Sequence, residues 1–236
     1  MPVGKRIYTR RNLPDPETVK GFAEVPTANI CDVMNRNSAM NPRIHRIAKG
    51  STPIAAGPAL TVKCRAGDNL VIHAAMEYCN EGDVLVISNE GDTTRSLMGD
   101  NMMAYLKFYK KIAALVVDGA LRDVDEIQDW GLPVYCTGTT PGGPYKEGPG
   151  EVNVPISCGN VSVNPGDIIV CDGDGVIVIP LEDAEEILPL AQKLRDADLA
   201  KLGKNKTGTA DKSWVKKSLD AKGFEIIDGI YGDRRA

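Results

Sequence analysis

Between Pro53 and Pro180 the chain repeats one pattern: a short run of β-branched and aliphatic residues, closed by Gly, Pro or Asp, then an interval that in three places has helical spacing. The runs fall at 59–64, 84–88, 113–117, 133–137, 161–163, 168–171 and 176–179, and the helical intervals at 69–80, 100–111 and 123–130. Strands alternating with helical intervals mark an α/β arrangement. The middle of the chain is therefore expected to be α/β, and its later part mostly β. One device occurs twice: Glu81-Gly82-Asp83 before 84–87 and Pro165-Gly166-Asp167 before 168–170 are tight turns that deliver the chain into buried strands.

Either side of this core the spacing is helical. Segments 15–22 and 27–34 each begin near a capping residue and carry apolar positions at helical intervals, Val19 with Phe22 and Ile30 with Val33 and Met34. Segment 181–201 has an acidic first turn and an expected kink at Pro189. A polar linker at 203–209 then leads to an amphipathic helix over 211–222, with Trp214, Val215 and Leu219 on one face and Gly223 as its C-cap. That face packs either on another subunit or on its own core. The expected organisation is one domain over 1–202, including the N-terminal helices, and a linker with a C-terminal helical extension over 203–236.

Composition removes several functions. A formal net charge of −4 and the lack of a basic block argue against a nucleic-acid partner. The longest apolar stretches, 112–117 and 176–180, fall far short of the roughly 20 residues of a membrane span. The first residues mix Lys5, Arg6, Arg10 and Arg11 with polar groups and precede no apolar run of signal-peptide length, so the expected location is cytoplasmic. Six cysteines without a CxxC pair signal neither a zinc knuckle nor a disulfide framework, and Cys171 reads as a small buried residue.

Chemistry concentrates in three places. Gly99-Asp100-Asn101-Met102-Met103 reads as a glycine turn opening a helix, whose free amides at Asn101, Met102 and Met103 suit a carboxylate, although Asp100 also suits a plain N-cap. After the strand at 113–117, Arg122-Asp123 opens the next helical interval, where ligands collect in alternating sheets. Glu126 three residues on makes a capping box the competing role for Asp123, and a salt bridge to Asp123 or Glu126 the competing role for Arg122. Asn69 and His73, four residues apart, share a helix face, with a hydrogen-bonded structural role as the alternative for His73. Two carboxylates beside a guanidinium supply what a hard cation and an oxyanionic substrate need: oxygen ligands and a planar fork that Lys cannot reproduce.

In order, GDNxxxHxA, GDVLV, MGDNMMA, VVDGALRDVDEI, GLPVY, VNVPISCG and NPGDIIVCDGDGVIVIP resemble the RraA-like family over residues 26–186. That family contains the class II 4-hydroxy-4-methyl-2-oxoglutarate/4-carboxy-4-hydroxy-2-oxoadipate aldolases and the regulator of ribonuclease E activity. The resemblance implies a swivelling β/β/α core, a homotrimer or dimer of trimers, and a site between adjacent subunits. It implies Asp123 and Asp100 organising Mg²⁺ or Mn²⁺ and Arg122 on the substrate oxygens. The amides of 101–103 would hold the pyruvyl carboxylate after Gly99, with Asn69 and His73 near the carbon that becomes the enolate methylene. The implied activity is a divalent-metal-dependent lyase that cleaves 4-hydroxy-2-oxo acids to pyruvate through an enolate, with oxaloacetate decarboxylation by the same enolate.

The alternative within the family is a non-enzymatic regulator of an RNA-processing enzyme; that branch lacks the acidic residue that stands here as Asp100. Three departures from the family pattern remain. The Asp100 to Arg122 spacing is one residue long, with the extra residue near Tyr109-Lys110-Lys111; segment 90–96 is unusual; and a neighbouring subunit would offer Asp196 or Asp198 where the aldolases offer a glutamate.

Overall fold

A ten-residue strand, β3 (Ala55–Cys64), organises the molecule, because it is long enough to take different neighbours along its length. In the computed structural model, which describes residues 2–48 and 53–232, its first half pairs antiparallel with β10 (Ile168–Cys171). From Ala59 it pairs parallel with β4 (Val84–Ser88), and its end pairs antiparallel with β7 (Gly150–Val152). The parallel series continues through β5 (Ala114–Leu121) and β6 (Val134–Thr139). Short edges come from β1 (Lys5–Ile7) and β2 (His45–Arg46), and β11 (Val176–Ile179) pairs with β10, giving a nine-stranded sheet. A separate hairpin joins β8 (Ile156–Cys158) and β9 (Val161–Val163).

The pleat decides which side chain enters which layer. On β4, Leu85 and Ile87 join a core covered by α3 (Leu70–Glu77) and α4 (Asp100–Ala104), while Val84 and Val86 face the opposite core with Val154, Ile156 and Val163 of the hairpin region. On β10, Ile169 and Cys171 enter that second core. Ile168 and Val170 point instead to a third core, beneath α1 (Pro16–Phe22), α2 (Thr27–Val33) and the start of α5 (Ala184–Lys206), where Phe22, Ile30 and Ala191 are buried. The result is a mixed α/β architecture with helices outside two β layers. The turn before β4 is held close: a Cβ on Gly57 of β3 would overlap the carbonyl oxygen of Gly82.

Three expectations need correction, and four short strands fall outside the expected runs. The interval 123–130 is not a helix: β5 runs on to Leu121, Asp123 adopts φ 57°, and 124–129 are successive turns. The Asp-x-x-Glu pattern that suggested a capping box belongs to a left-handed residue, a conformation Asp tolerates better than most. The interval 100–111 divides, with α4 continuing as π-helix over Tyr105–Lys110 and ending at Lys111 with φ 54°. A π turn takes one residue more than an α turn, so it can absorb the extra residue between Asp100 and Arg122. The linker starts later than 203, because α5 continues through Gly203 to Lys206 and stops at Gly208, φ 71°. Finally, β1, β2, β7 and β8 have two or three residues each, too few for a periodic signal.

The chain separates into two compact units, residues 1–195 and 196–236. The second contains the end of α5 and α6 (Ser213–Ala221), closed by Gly223 at φ 73° as expected of a C-cap. Trp214 and Leu199 are largely exposed within it. Among the described residues no helix is long and apolar enough to cross a membrane.

Candidate active site

At the carboxyl end of the parallel strands the chain turns outward after β5, and Arg122 and Asp123 arrive beside the start of α4. Gly99 holds the N-cap position, so Asp100 is the first helical residue rather than the cap. The backbone N–H of Asp100 donates to Asp123 Oδ2 at 3.3 Å, and Arg122 Nε lies 3.4 Å from the same oxygen. The Arg122 N–H donates to the Met98 carbonyl at 3.1 Å, tying the two loops together. This closeness explains Gly99 on steric grounds: a Cβ there would overlap Asp123 Oδ2 and come within 3.1 Å of Arg122 Nε.

The Asp100 carboxylate accepts from the Asn101 backbone N–H at 2.6 Å and from Asn101 Nδ2 at 2.9 Å, both through Oδ1. Asp100 Oδ2 and Asp123 Oδ1 have no partner among the described residues. Arg122 and Asp123 are exposed, at 44% and 41%, so their ion pair contributes little to stability. Both groups remain available to a ligand.

A cavity of about 210 Å³ opens at this junction. Asn69, His73, Gly99, Asp100, Asn101, Met102 and Arg122 line it, together with Ser96, Pro144 and Lys146. Asp123 lies in an adjoining crevice of about 480 Å³ that shares Asp100 and Arg122. Met103 is fully buried in the core beneath α4, and its N–H closes the helix turn onto Gly99 O at 3.1 Å. Of the three amides expected to receive a carboxylate, Asn101 is thus capped by Asp100 and Met103 by the helix, which leaves Met102.

Asn69 stands just before α3 and is 2% exposed. Its Nδ2 donates to Leu97 O at 2.8 Å, while its Oδ1 is buried without a partner. A buried unpaired oxygen is costly unless a water or ligand donates to it. His73, one turn on, is held below the ordinary histidine range, first by burial and then by the charge of Lys146, which favours its neutral form.

Sequence reasoning missed Lys146 and Pro144. They lie on a segment, 142–148, without regular structure, and long-range bonds bring it back to the cavity: Ser96 Oγ donates to Gly142 O at 2.8 Å and Arg95 Nη1 to Gly143 O at 2.9 Å. A local pattern carries no trace of such contacts.

The donor set around Asp100 and Asp123 is oxygen only, and among the described residues no group of three or more His, Cys, Asp or Glu side chains could hold a metal. Two carboxylates, each with one unengaged oxygen, fit a hard cation that keeps much of its water, as Mg²⁺ does, and do not fit a closed zinc site.

The RraA-like family (Aldolase/RraA) matches residues 27–178, and the chain belongs to it. A relative from Halalkalibacterium halodurans named "Putative 4-hydroxy-4-methyl-2-oxoglutarate aldolase" is 40% identical over 180 residues, covering 76% of this chain and 84% of the relative. An Arabidopsis thaliana relative with the same name and the number 3 is 33% identical over 166 residues, 68% of this chain and 98% of its own. Among solved structures, that of Streptomyces coelicolor RraAS2, described as an unusual member of the RNase ES inhibitor RraA protein family, superposes with a TM-score of 0.70. Its identity to this chain is 31%, over 80% of this chain and 97% of its own.

Proposed function

We propose that this chain is a divalent-metal-dependent carbon–carbon lyase that cleaves 4-hydroxy-4-methyl-2-oxoglutarate and related 4-hydroxy-2-oxo acids to pyruvate. The observation that carries this reading is the junction of α4 with the end of β5, where Asp100 and Asp123 flank Arg122 at the mouth of the cavity and each keeps one oxygen unengaged. The names of the Halalkalibacterium and Arabidopsis relatives support it.

Asp123 and Asp100 would hold Mg²⁺ or Mn²⁺, which supplies Lewis acidity toward the 2-oxo oxygen. Cleavage begins as the C4 hydroxyl proton leaves to a water that Asp100 orients. The C3–C4 electrons pass into the C2–C3 enolate, and C4 becomes the carbonyl of the second product. Arg122 stabilises the charge that grows on the enolate oxygen, the largest contribution expected in such a site. Met102 N–H receives the substrate carboxylate, and Lys146 adds a second cation to the cavity wall. Asn69 and neutral His73 lie by the carbon that is protonated to give the methyl group. Oxaloacetate decarboxylation would pass through the same enolate, with CO₂ leaving in place of the aldehyde or ketone fragment.

The assay is pyruvate release, followed by lactate dehydrogenase, across a panel of 4-hydroxy-2-oxo acids and oxaloacetate. The expected result is turnover highest on the 4-hydroxy-4-methyl-2-oxoglutarate type, and a panel with no pyruvate released would sink the lyase. The likeness to RraAS2 favours a second reading, a non-enzymatic regulator of an RNA-processing enzyme. Inhibition of ribonuclease E cleavage by stoichiometric protein, without pyruvate release, would select that reading. The proposed assembly is a homotrimer or dimer of trimers in the cytoplasm, with Asp196 or Asp198 of a neighbouring subunit adding a carboxylate to the metal. Light scattering at the monomer mass would remove this assembly.

A further inference from the structure

Asp68 has no exposed surface, and no basic side chain pairs with it among the described residues. Its charge is met by three backbone N–H groups. Oδ1 accepts from Leu70 N at 2.9 Å, the first residue of α3, while Oδ2 accepts from Glu147 N at 2.7 Å and Gly148 N at 2.9 Å. These donors belong to the two walls of the cavity. One wall is the start of α3, which presents Asn69 and His73, and the other is the 142–148 segment, which presents Pro144 and Lys146.

Backbone bonds run alongside: Asn69 N donates to Tyr145 O at 3.0 Å and Tyr145 N to Gly67 O at 2.8 Å. Arg95 lies 4.0 Å from the centroid of the Tyr145 ring and donates to its hydroxyl at 2.8 Å. Those bonds fix the segment up to Tyr145. Beyond it, immediately after Lys146, Asp68 is the side chain that receives the amides of Glu147 and Gly148.

We propose that Asp68 is a positioning residue of the cavity: it clamps the Lys146-bearing segment to the first turn of α3 and so fixes the spacing between Lys146 and the Asn69–His73 wall. A carboxylate suits this work better than an amide or hydroxyl. It alone offers acceptors on both oxygens, and charge-assisted bonds to N–H groups are roughly twice as strong as neutral ones. In Asp68→Asn one of the two sites must turn an NH₂ toward backbone N–H donors, so one wall loses its hold. The kinetic consequence rests on the lyase reading; the geometric claim does not.

The molecule contains a reporter that needs no turnover. It has only two histidines, His45 and His73, and Lys146 helps hold His73 down. Imidazole titrations followed by NMR on the full chain in EDTA therefore read the placement of Lys146, with His45 as the internal reference. Lys146→Met should raise the His73 pKa, and Asp68→Ala should raise it also, by no more than Lys146→Met does. The double variant should match Lys146→Met plus at most a small remainder, since both changes remove one interaction.

The sign discriminates. Loss of the Asp68 charge acting directly on His73 would lower its pKa, so a fall or no change in Asp68→Ala overturns the proposal, as does full additivity in the double variant. Should Asp68→Ala fail to fold, Asp68→Asn replaces it, with a smaller rise expected and no rise contradicting the clamp. In the pyruvate assay Asp68→Asn should raise KM roughly tenfold with kcat changed much less, the mark of lost ground-state positioning. A wild-type protein without lyase turnover would sink the lyase reading, and the titration would still decide the role of Asp68.

Discussion

Strand β5 and the loop after it carry two aspartates five residues apart whose surroundings are opposite. Asp118 is 2% exposed and saturated: Arg43 donates through Nε at 3.1 Å and Nη2 at 2.8 Å, Gly159 N at 2.9 Å, and Thr137 Oγ1 at 3.1 Å. Asp123 is 41% exposed, shares one oxygen between Arg122 and the Asp100 amide, and keeps the other unengaged. Burial pushes Asp118 up, but the bonds from Arg43 and Gly159 and the Arg43 charge outweigh it and hold the carboxyl below its ordinary range. A saturated buried carboxylate fastens strands and loops together. An unsaturated exposed one has capacity left for a ligand.

This contrast is broken most directly by exchanging the two roles. Asp118→Ala leaves Gly159 N–H and Thr137 hydroxyl without their acceptor and Arg43 without its carboxylate, and should cost about 2–4 kcal/mol in urea unfolding. Asp123→Asn should leave stability within about 0.5 kcal/mol while removing turnover. Equal stability losses at the two positions would erase the distinction. Arg122→Lys keeps the charge and loses the fork, so kcat should fall about 100-fold with the melting temperature nearly unchanged. Wild-type kcat in that variant would take Arg122 out of the mechanism.

Gly99→Ala sharpens the comparison at the site itself. The new methyl must displace Asp123 or Arg122, and activity should drop roughly tenfold while the core stays intact, since the site tolerates no such misplacement. The smallest effect is the pH dependence of stability. Asp118 has a depressed folded pKa, so its contribution is complete above the unfolded value near 3.9 and is lost as pH falls through the folded value. Wild-type stability should therefore decline below about pH 4, and Asp118→Asn should flatten that decline. An unchanged slope in the variant would remove Asp118 from the acid response.

The sequence exposed the layers far better than the walls of the site. Segments 84–87 and 168–171 are buried on both faces, so each strand announces itself as an unbroken apolar run. Asn69, His73, Asp100 and Arg122 were legible because each stands at a strand end or helix start that local spacing marks. Lys146 was not, because a buried carboxylate 78 positions earlier brings its segment to the cavity. Asp123 was placed beside Arg122 but given the wrong conformation, since Asp-x-x-Glu reads alike whether or not a helix follows.

The measurement that tests the account most directly is pyruvate release from 4-hydroxy-4-methyl-2-oxoglutarate before EDTA treatment, after it, and after Mg²⁺ or Mn²⁺ is returned, in the wild type and in Asp100→Asn. The account predicts turnover that EDTA abolishes and the cation restores in the wild type, with neither condition giving appreciable turnover in the variant. Equal pyruvate release with and without EDTA, or an Asp100→Asn variant as active as the wild type, would contradict it.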